Sequence, residues 1–272
     1  MDLGLQGNRA LVTGGSLGIG KAIALELARE GVDVAIVART KDRLEAAARE
    51  LESQTGRRVV PLVADVTSKE QVDRAVAQAA ERLGGLHILV NSGSPPGGSA
   101  TATGPIETVV DEDLLHDFNV KYVGALRCAR AAIPYLKQNG WGRIINISGT
   151  NARNAGNLSG GARNGSLVHL TKTLAVQLGR YGITVNCVHP GITRTERTPR
   201  LLAARAAELG VSPDEVEKRD FAYESSRGNS ICRMVDASEI AYVTVFLASD
   251  RAWAVTGELI VATGGAGRSV YY

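Results

Sequence analysis

The chain has 272 residues, of which 44% are hydrophobic and 22% charged, and its formal net charge is +3. This length suits one large α/β domain. No basic block with interleaved aromatic residues indicates a nucleic-acid surface, and no apolar run is long enough to span a membrane. The first residues also lack the basic and apolar regions of a secretory signal. We therefore expect a cytoplasmic protein with neither a nucleic-acid nor a membrane partner.

The three cysteines, Cys128, Cys187 and Cys232, are an odd number at unrelated spacings. Such spacings fit neither a disulfide framework nor a zinc site. We interpret them as reduced thiols, as expected in the cytoplasm, and we expect no metal site.

Short β-branched segments alternate with amphipathic segments along most of the chain. Each short segment is apolar on both faces, as in a strand that is buried on both sides. The predicted strands are Arg9–Thr13, Asp33–Ala38, Val59–Val63, Leu86–Val90, Arg143–Ser148, Ile183–Val188 and Leu259–Val261. This alternation predicts an α/β fold in a single domain over residues 1–272, with a doubly wound parallel sheet of the Rossmann type and helices on both faces.

Three of the intervening segments have clear helix end signals. The predicted helices are Lys21–Glu30, Lys41–Gln54 and Lys69–Leu83, each followed closely by a glycine. Thr40 is the predicted N-cap of the second helix. Ser68, with Gln71 three residues later, predicts a capping box at the start of the third.

Two further segments depart from the regular alternation. Residues 111–139 are predicted to be mostly helical. Residues 193–234 are rich in arginine and glutamate and form an unusually long connection after the sixth strand. One interpretation of this second segment is a lid over a substrate site, and the other is an extra pair of surface helices.

A glycine-rich segment, Thr13–Gly20, lies between the first predicted strand and the first helix. Glycines at this point permit a tight turn and let backbone N–H groups approach a pyrophosphate, which the helix N-terminus also attracts. The alternative is an ordinary turn at a strand–helix corner. The candidate cofactor-binding residues of this turn are Gly14, Ser16, Leu17, Gly18, Ile19 and Gly20.

Two other strand ends are expected to meet this turn. Asp65 ends the third strand, where its carboxylate either accepts from an adenine amino group or caps the next helix. Asn91 and Gly93 follow the fourth strand, where small residues let a ribose or nicotinamide lie against the backbone. Ligands of open α/β sheets bind beyond the carboxyl ends of the strands, so all three segments converge on one crevice.

The residue at the end of the second strand indicates which dinucleotide binds. An acid there would bind the ribose 2′-hydroxyl of NAD, whereas this chain has Arg39, which can pair with the 2′-phosphate of NADP. A solvated arginine at a helix start is the plainer interpretation. Leu17 stands where a second basic residue would help, so NAD stays open beside the favoured NADP.

With these residues in view, the chain resembles the short-chain dehydrogenase/reductase family over nearly its whole length. The motifs that carry the resemblance are Thr13–Gly20, Asp65-Val66, Asn91–Gly93, Asn119, Gly142–Ser148, Gly182–Asn186 and His189–Thr195. The resemblance implies an oxidoreductase that uses a nicotinamide cofactor on a small-molecule carbonyl or alcohol. It also implies that Val66 contacts the cofactor, that Pro190, Gly191 and Thr195 lie near its carboxamide, and that the protein forms a homotetramer or dimer.

The resemblance fails at the residues that carry the family's proton transfer. In that family a serine polarises the carbonyl, and a tyrosine four residues before a lysine transfers the proton. Counting back from the matching segment Gly182–Asn186, the tyrosine position falls on Gly160, the lysine position on Asn164 and the serine position on Gly149. Neither glycine nor asparagine can transfer a proton near pH 7. We therefore expect a non-standard catalytic centre in which only Asn119 matches the family.

Three interpretations of this centre remain open. In the first, Ser148 or Ser159 bonds the substrate carbonyl, Arg163 supplies a cation, and water held by Asn119 completes the proton relay. In the second, the protein binds the cofactor without catalysis and acts as a sensor or assembly subunit. In the third, the same fold carries a different reaction.

Each substitute residue also has a plainer interpretation. Ser148 ends a strand, where it can simply bond backbone groups. Ser159 is the expected N-cap of the helix that follows it. Arg163 can lie on a helix surface or in an interface between subunits.

Overall fold

Parallel strands and helices alternate along the chain in the computed structural model, which describes residues 1–95 and 97–267. Within these ranges, seven strands form one parallel sheet in the order β3-β2-β1-β4-β5-β6-β9. These strands are β1 (Arg9–Thr13), β2 (Asp33–Ala38), β3 (Val59–Val63), β4 (Ile88–Asn91), β5 (Gly142–Ile147), β6 (Ile183–Pro190) and β9 (Leu259–Ala262). Two short strands, β7 (Thr193–Arg194) and β8 (Val235–Asp236), pair separately. The predicted doubly wound fold is confirmed.

Helices connect these strands. They are α1 (Gly18–Arg29), α2 (Lys41–Thr55), α3 (Lys69–Leu83), α4 (Asp111–Phe118), α5 (Gly124–Gln138), α6 (Leu158–Leu178), α7 (Thr198–Leu209), α8 (Pro213–Asp220) and α9 (Ala237–Ala248). A π-helical segment, Asn119–Val123, joins α4 to α5, so residues 111–138 are helical as predicted. Among the described residues, no helix combines the length and the apolar character that a membrane span needs.

The helix ends follow local chemistry, with two departures from the sequence prediction. Gly56 and Gly84 end α2 and α3 in the left-handed region, at φ 65° and 79°, where a side chain would be strained. Thr40 is the N-cap residue of α2 as predicted, but its side chain makes no capping hydrogen bond. Ser68 does cap α3, but the side chain of Gln71 accepts from the N–H of Asp65, so the capping box is incomplete.

Helix α1 begins earlier than predicted. Its first residue is Gly18, inside the glycine turn, rather than Lys21. A helix leaves its first four N–H groups without intrahelical partners. The early start therefore places those N–H groups within the turn itself.

Apolar side chains cover both faces of the large sheet. Val12 points into the cluster that α1, α2 and α9 form on one face, and Leu11 points into the cluster of α3, α5 and α6 on the other. This explains why the strands are apolar on both alternating sets of positions. The strand order reverses between β1 and β4, where Thr13 pairs with Asn91, and this reversal opens a crevice beyond the carboxyl ends.

The opposite, amino-terminal edge of the sheet holds a buried cation. Arg143, near the start of β5, is 0% exposed and lies over the rings of Trp141 and Trp253, at 4.0 and 4.8 Å from their centroids. Its guanidinium donates to Ser249 O and to Asp250 Oδ1. Burial lowers the pKa of Arg143 to about 10, against the opposing effect of Asp250, so the group stays charged at neutral pH.

The long connection after β6 contains a pair of packed helices, α7 and α8. Strands β7 and β8 close its two ends onto each other. The predicted segment 193–234 is therefore ordered as a helix pair, and its action as a substrate lid stays a prediction.

Candidate active site

The glycine turn brings two strand ends into close contact. Gly14 has φ +69°, and a Cβ there would lie 2.7 Å from Ser92 O, so only glycine lets the two backbones approach this closely. Thr13 Oγ1 accepts from the N–H groups of Ser92 and Gly93, each at 3.0 Å. The turn after β1 and the segment after β4 therefore form one wall of the crevice.

An acidic side chain already sits at the N-terminus of α1. The Gly18 N–H donates to Glu196 Oε2 at 2.8 Å, and Lys21 Nζ lies 3.9 Å from Glu196 Oε1. Thr195 packs beside Gly18 as well. A carboxylate oxygen thus accepts from the first N–H group of the helix, so the backbone at this turn can bind an anion, and its contact with a pyrophosphate stays a prediction. Ser16, Leu17 and Ile19 belong to the same turn.

Arg39 and Asp65 lie together where β2 and β3 end. Arg39 is exposed, and its Nη1 lies 3.9 Å from Asp65 Oδ2. Asp65 Oδ1 accepts from both the N–H and the hydroxyl of Thr67, at 2.9 and 2.8 Å. Burial raises the pKa of Asp65, but these hydrogen bonds and Arg39 outweigh it and hold the pKa below its usual value. Asp65 thus caps a turn, as one interpretation expected, and its adenine contact stays a prediction.

Several buried polar atoms at the carboxyl edge of the sheet lack a partner. Within the described residues, those at this edge are Asn91 Oδ1, Arg163 Nε, Asn164 Oδ1 and His189 Nε2. Buried polar groups are normally paired, so a cluster of unpaired ones indicates a place for a bound ligand or water. The wall formed by the glycine turn and the segment after β4, the anion-binding N-terminus of α1 and these unpaired atoms together fit a dinucleotide and a polar substrate.

The three positions where the resemblance places catalytic residues are closely packed. A Cβ at Gly160 would lie 2.6 Å from Asn151 Nδ2, and a Cβ at Gly149 would lie 3.0 Å from Asn164 Nδ2. Asn157 caps α6 by accepting from the Gly160 N–H at 2.6 Å. A side chain at either glycine would therefore require the neighbouring asparagine side chains to shift.

Ser159 does not cap α6, so that interpretation is wrong. It lies inside the helix, and its hydroxyl donates to Asp117 Oδ2 at 2.5 Å. Asp117 also accepts from the N–H and the hydroxyl of Ser99, at 2.8 and 2.9 Å. Burial raises the pKa of Asp117, but these bonds and the charge of Arg163 hold it below its usual value, so the buried carboxylate stays ionised.

Arg163 is buried next to this carboxylate and is neither a surface nor an exposed interface residue in this chain. Only 3% of it is exposed, and its Nη1 contacts Ser94 Oγ at 3.1 Å and Pro95 O at 3.4 Å. A Cβ at Gly98 would touch both Asp117 Oδ2 and Arg163 Nη2, so only a glycine fits between them. Burial lowers the pKa of Arg163 while Asp117 raises it. Asp117 thus balances a cation that is held against the segment after β4.

Lys121 lies on the π-helical segment and lines the crevice with Asn91, Ser92, Gly93 and Ser94. Its Nζ donates to Ser148 O at 3.1 Å. Burial lowers the pKa of Lys121 to about 7; the charge of Arg163 lowers it further and Cys187 opposes the shift. π-Helical turns are frequent at functional sites.

His189 holds the backbone that faces this lysine. Its Nδ1 lies 3.2 Å from Gly149 N and 2.5 Å from Gly149 O. Burial lowers the pKa of His189 to about 4, although its contact with Gly149 opposes the shift. The imidazole is therefore neutral near pH 7, and it positions Gly149 rather than acting as a cation.

The other predicted site residues lie around the same crevice. Ser148 is buried and donates to Asn164 O at 3.0 Å, while Asn119 Oδ1 accepts from Arg127 Nη1 at 2.8 Å. Gly191 is packed tightly against Thr263 and follows Pro190 at the end of β6. Val66 packs against Gly124. The hydroxyl of Ser148 is thus engaged with the backbone, and the catalytic roles of Ser148 and Asn119 stay predictions.

Sequence reasoning missed four residues at this site: Ser99, Asp117, Lys121 and Glu196. Asp117 lies in the acidic helix α4 and Glu196 in a charged turn before α7, and an acid is ordinarily solvated in either place. Lys121 alone had a usable signal, because it lies two residues after Asn119, which the sequence had already placed at the site.

Comparisons with known proteins agree along almost the whole chain. The family model described as Enoyl-(Acyl carrier protein) reductase matches residues 14–267. The 3-oxoacyl-[acyl-carrier-protein] reductase FabG of Pseudomonas aeruginosa is 35% identical over 266 residues, which cover 97% of this chain and 98% of that protein. The NADPH-dependent reductase BacG of Bacillus subtilis is 31% identical, over 96% and 98% of the two chains. The crystal structure of L-sorbose reductase from Gluconobacter frateurii, complexed with NADPH and L-sorbose, has a TM-score of 0.92 at 30% identity, over 99% and 100% of the two chains.

Proposed function

Because the chain belongs to the short-chain dehydrogenase/reductase family, we propose that it is an NADPH-dependent reductase that converts a carbonyl group into an alcohol at an altered catalytic centre. The cofactor is NADP: one relative is described as NADPH-dependent, and a solved structure of the same fold contains NADPH. Arg39 supplies the cation that a 2′-phosphate needs.

One observation carries the altered centre. Arg163 is buried beside the crevice with its Nε unpaired and its Nη1 held by Ser94 and Pro95. Leaving a buried guanidinium N–H without an acceptor costs free energy, so an acceptor that enters the crevice is bound favourably. A carbonyl oxygen that gains negative charge is such an acceptor.

The chain's own residues divide the remaining work. When bound, the nicotinamide supplies the hydride. Arg163 stabilises the negative charge on the substrate oxygen, because a guanidinium is a strong hydrogen-bond donor and a poor acid. Asp117 favours the charged form of Arg163, and Gly98 leaves room for the two groups to lie close together. Ser148 bonds the backbone of α6 at Asn164, and Asn119 accepts from Arg127, which also donates to Val66 O.

The test combines cofactor titration with turnover. NADPH and NADH are titrated by fluorescence, and a panel of ketones, 3-oxoacyl thioesters and sugars is then assayed with NADPH. We expect Arg163→Ala to lower kcat/KM by about 10²–10³-fold, the usual loss when an oxyanion-stabilising donor is removed, with NADPH affinity unchanged. Gln177→Ala, on the exposed side of the same helix, is the matched control.

Two outcomes would overturn the proposal. Tight NADPH binding without turnover across the panel would favour a sensor or assembly subunit. Full turnover in Arg163→Ala would show that this cation is not the oxyanion-stabilising group. The expected homotetramer or dimer is checked separately by light scattering of the purified protein.

A further inference from the structure

The reaction needs a proton that the residues assigned so far cannot deliver. Carbonyl reduction adds a hydride to carbon and a proton to oxygen. Arg163 keeps its proton at neutral pH, and Gly160 and Asn164 have none to give. Any side chain that donates the proton must therefore come from elsewhere in the crevice.

Lys121 is placed to fill this gap. Its side chain lines the crevice together with the segment Asn91–Ser94, where the nicotinamide ribose is expected to lie. An ammonium has three N–H donors. One of them bonds Ser148 O, and the hydrogen bonds found for Lys121 in the described part of the chain engage no other. The remaining donors are available to a ligand in the crevice.

We propose that Lys121 is the catalytic proton donor of this enzyme and that Ser148 O holds its Nζ in place. The proposal rests on the reductase function proposed above. Arg163 and Lys121 then act together, because Arg163 stabilises the oxyanion while Lys121 neutralises it.

The step balances in atoms and electrons. As the hydride reaches the carbonyl carbon, the C=O π pair moves onto oxygen. That oxygen takes a proton from the Lys121 ammonium, so one N–H bond breaks and one O–H bond forms. The products are the alcohol, the oxidised cofactor and a neutral amine, which regains its proton from water.

The surroundings of Lys121 suit this exchange. Its pKa of about 7 lies where a general acid works best at neutral pH. The titratable and charged groups that face it are Arg163 from α6 and Cys187 and His189 from β6. His189 is neutral near pH 7 and burial raises the pKa of Cys187 to about 11, so Arg163 is the charged neighbour over the working range.

The first test needs no cofactor. NMR of the protein with ¹³C-dimethylated lysines gives the pKa of each ammonium, and the signal that is lost in Lys121→Arg belongs to Lys121. We expect a midpoint about three pH units below that of an ordinary lysine near 10.4. A midpoint near the ordinary value would overturn the proposal.

The second test is the pH profile of NADPH-dependent reduction. Lys121→Arg keeps the charge but cannot release a proton near pH 7, so we expect kcat to fall by about 10²–10⁴-fold, the usual contribution of general acid catalysis. The alkaline limb of the profile near pH 7 should disappear, while NADPH affinity and thermal stability stay the same. Lys172→Arg, at an exposed lysine of α6, is the matched control and should keep both rate and profile.

The two proposals fail in different ways. A shifted Lys121 midpoint without turnover of any carbonyl refutes the reductase function, and with it the role of Lys121 as a proton donor. Turnover that persists in Lys121→Arg with an unchanged pH profile refutes the role of Lys121 alone. A purely structural role is excluded if Lys121→Arg folds with an unchanged melting temperature yet loses the alkaline limb.

Discussion

The Glu196 carboxylate occupies the N-terminus of α1, so the proposed pyrophosphate contact at this turn requires the carboxylate to move away. The Gly18 N–H donates to the carboxylate at 2.8 Å, and Lys21 Nζ lies 3.9 Å away. Glu196→Gln removes the negative charge while it keeps the length and shape of the side chain. We therefore expect this variant to bind NADPH more tightly than the wild type.

The magnitude follows from the two contacts that are given up. A charge at a partly exposed helix N-terminus is worth about 0.3–1 kcal/mol. A surface ion pair adds about 0–1 kcal/mol. Together they amount to about 0.3–2 kcal/mol, which corresponds to a dissociation constant for NADPH that is about 2–30-fold lower, since 1.4 kcal/mol is tenfold.

The assay is a fluorescence titration with NADPH at low and at moderate salt. The gain should shrink as salt rises, because screening weakens both contacts. Glu208→Gln, at an exposed position in α7, makes the same change in net charge and is the matched control. Equal affinities of the wild type and Glu196→Gln, or equal gains in both variants, would refute a direct competition between Glu196 and the pyrophosphate.

Three further predictions follow from other parts of the site. Arg39→Asp should raise the dissociation constant for NADPH by about 10–100-fold, since hydrogen bonds to charged groups are worth about 1.5–3 kcal/mol. The dissociation constant for NADH should stay nearly unchanged, and equal losses of affinity in the two titrations would exclude a 2′-phosphate contact. The double variant Gly160→Tyr/Asn164→Lys should lose about 1–3 kcal/mol of stability through overpacking against Asn151 and should gain no turnover. Denaturant unfolding measures the stability and the carbonyl assay measures the turnover, and a faster enzyme would contradict the packing argument. The pKa of His189 is about 4 in the folded chain and near 6.5 when unfolded. The free energy of unfolding should therefore fall as pH drops from about 6.5 towards 4, by up to about 1.4 kcal/mol per pH unit. In urea unfolding curves His189→Gln should flatten this pH dependence, and an unchanged dependence would argue for a charged imidazole.

The sheet could be predicted from the sequence because its signals are local. Strands β1 to β3 have the predicted bounds, since β-branched runs that are buried on both faces leave a short, continuous apolar pattern. The glycine turn itself could also be predicted, because Gly14 and Gly18 adopt positive φ angles that favour glycine, while its binding of a pyrophosphate stays a prediction. Helix caps were less predictable: Thr40 has a suitable side chain but makes no capping bond, and Asn157 rather than Ser159 caps α6.

The polar centre could be predicted only in part, because its contacts join distant segments. Arg163 was selected from its position on α6, but its partners come from the segment after β4 and from α4. Asp117 lies in an acidic helix where nothing distinguishes it from its solvated neighbours. The reduced pKa of Lys121 depends on burial and on Arg163, and neither is visible before the chain is folded.

The Arg143 cluster determines what optical measurements on this protein can report. Trp141 and Trp253 are the chain's two tryptophans, and both rings lie against the same guanidinium at the amino-terminal edge of the sheet. Their intrinsic emission therefore follows the integrity of that corner, whereas events in the crevice take place at the other edge. Denaturation curves recorded through tryptophan and binding curves recorded through NADPH fluorescence will thus monitor opposite ends of the same sheet.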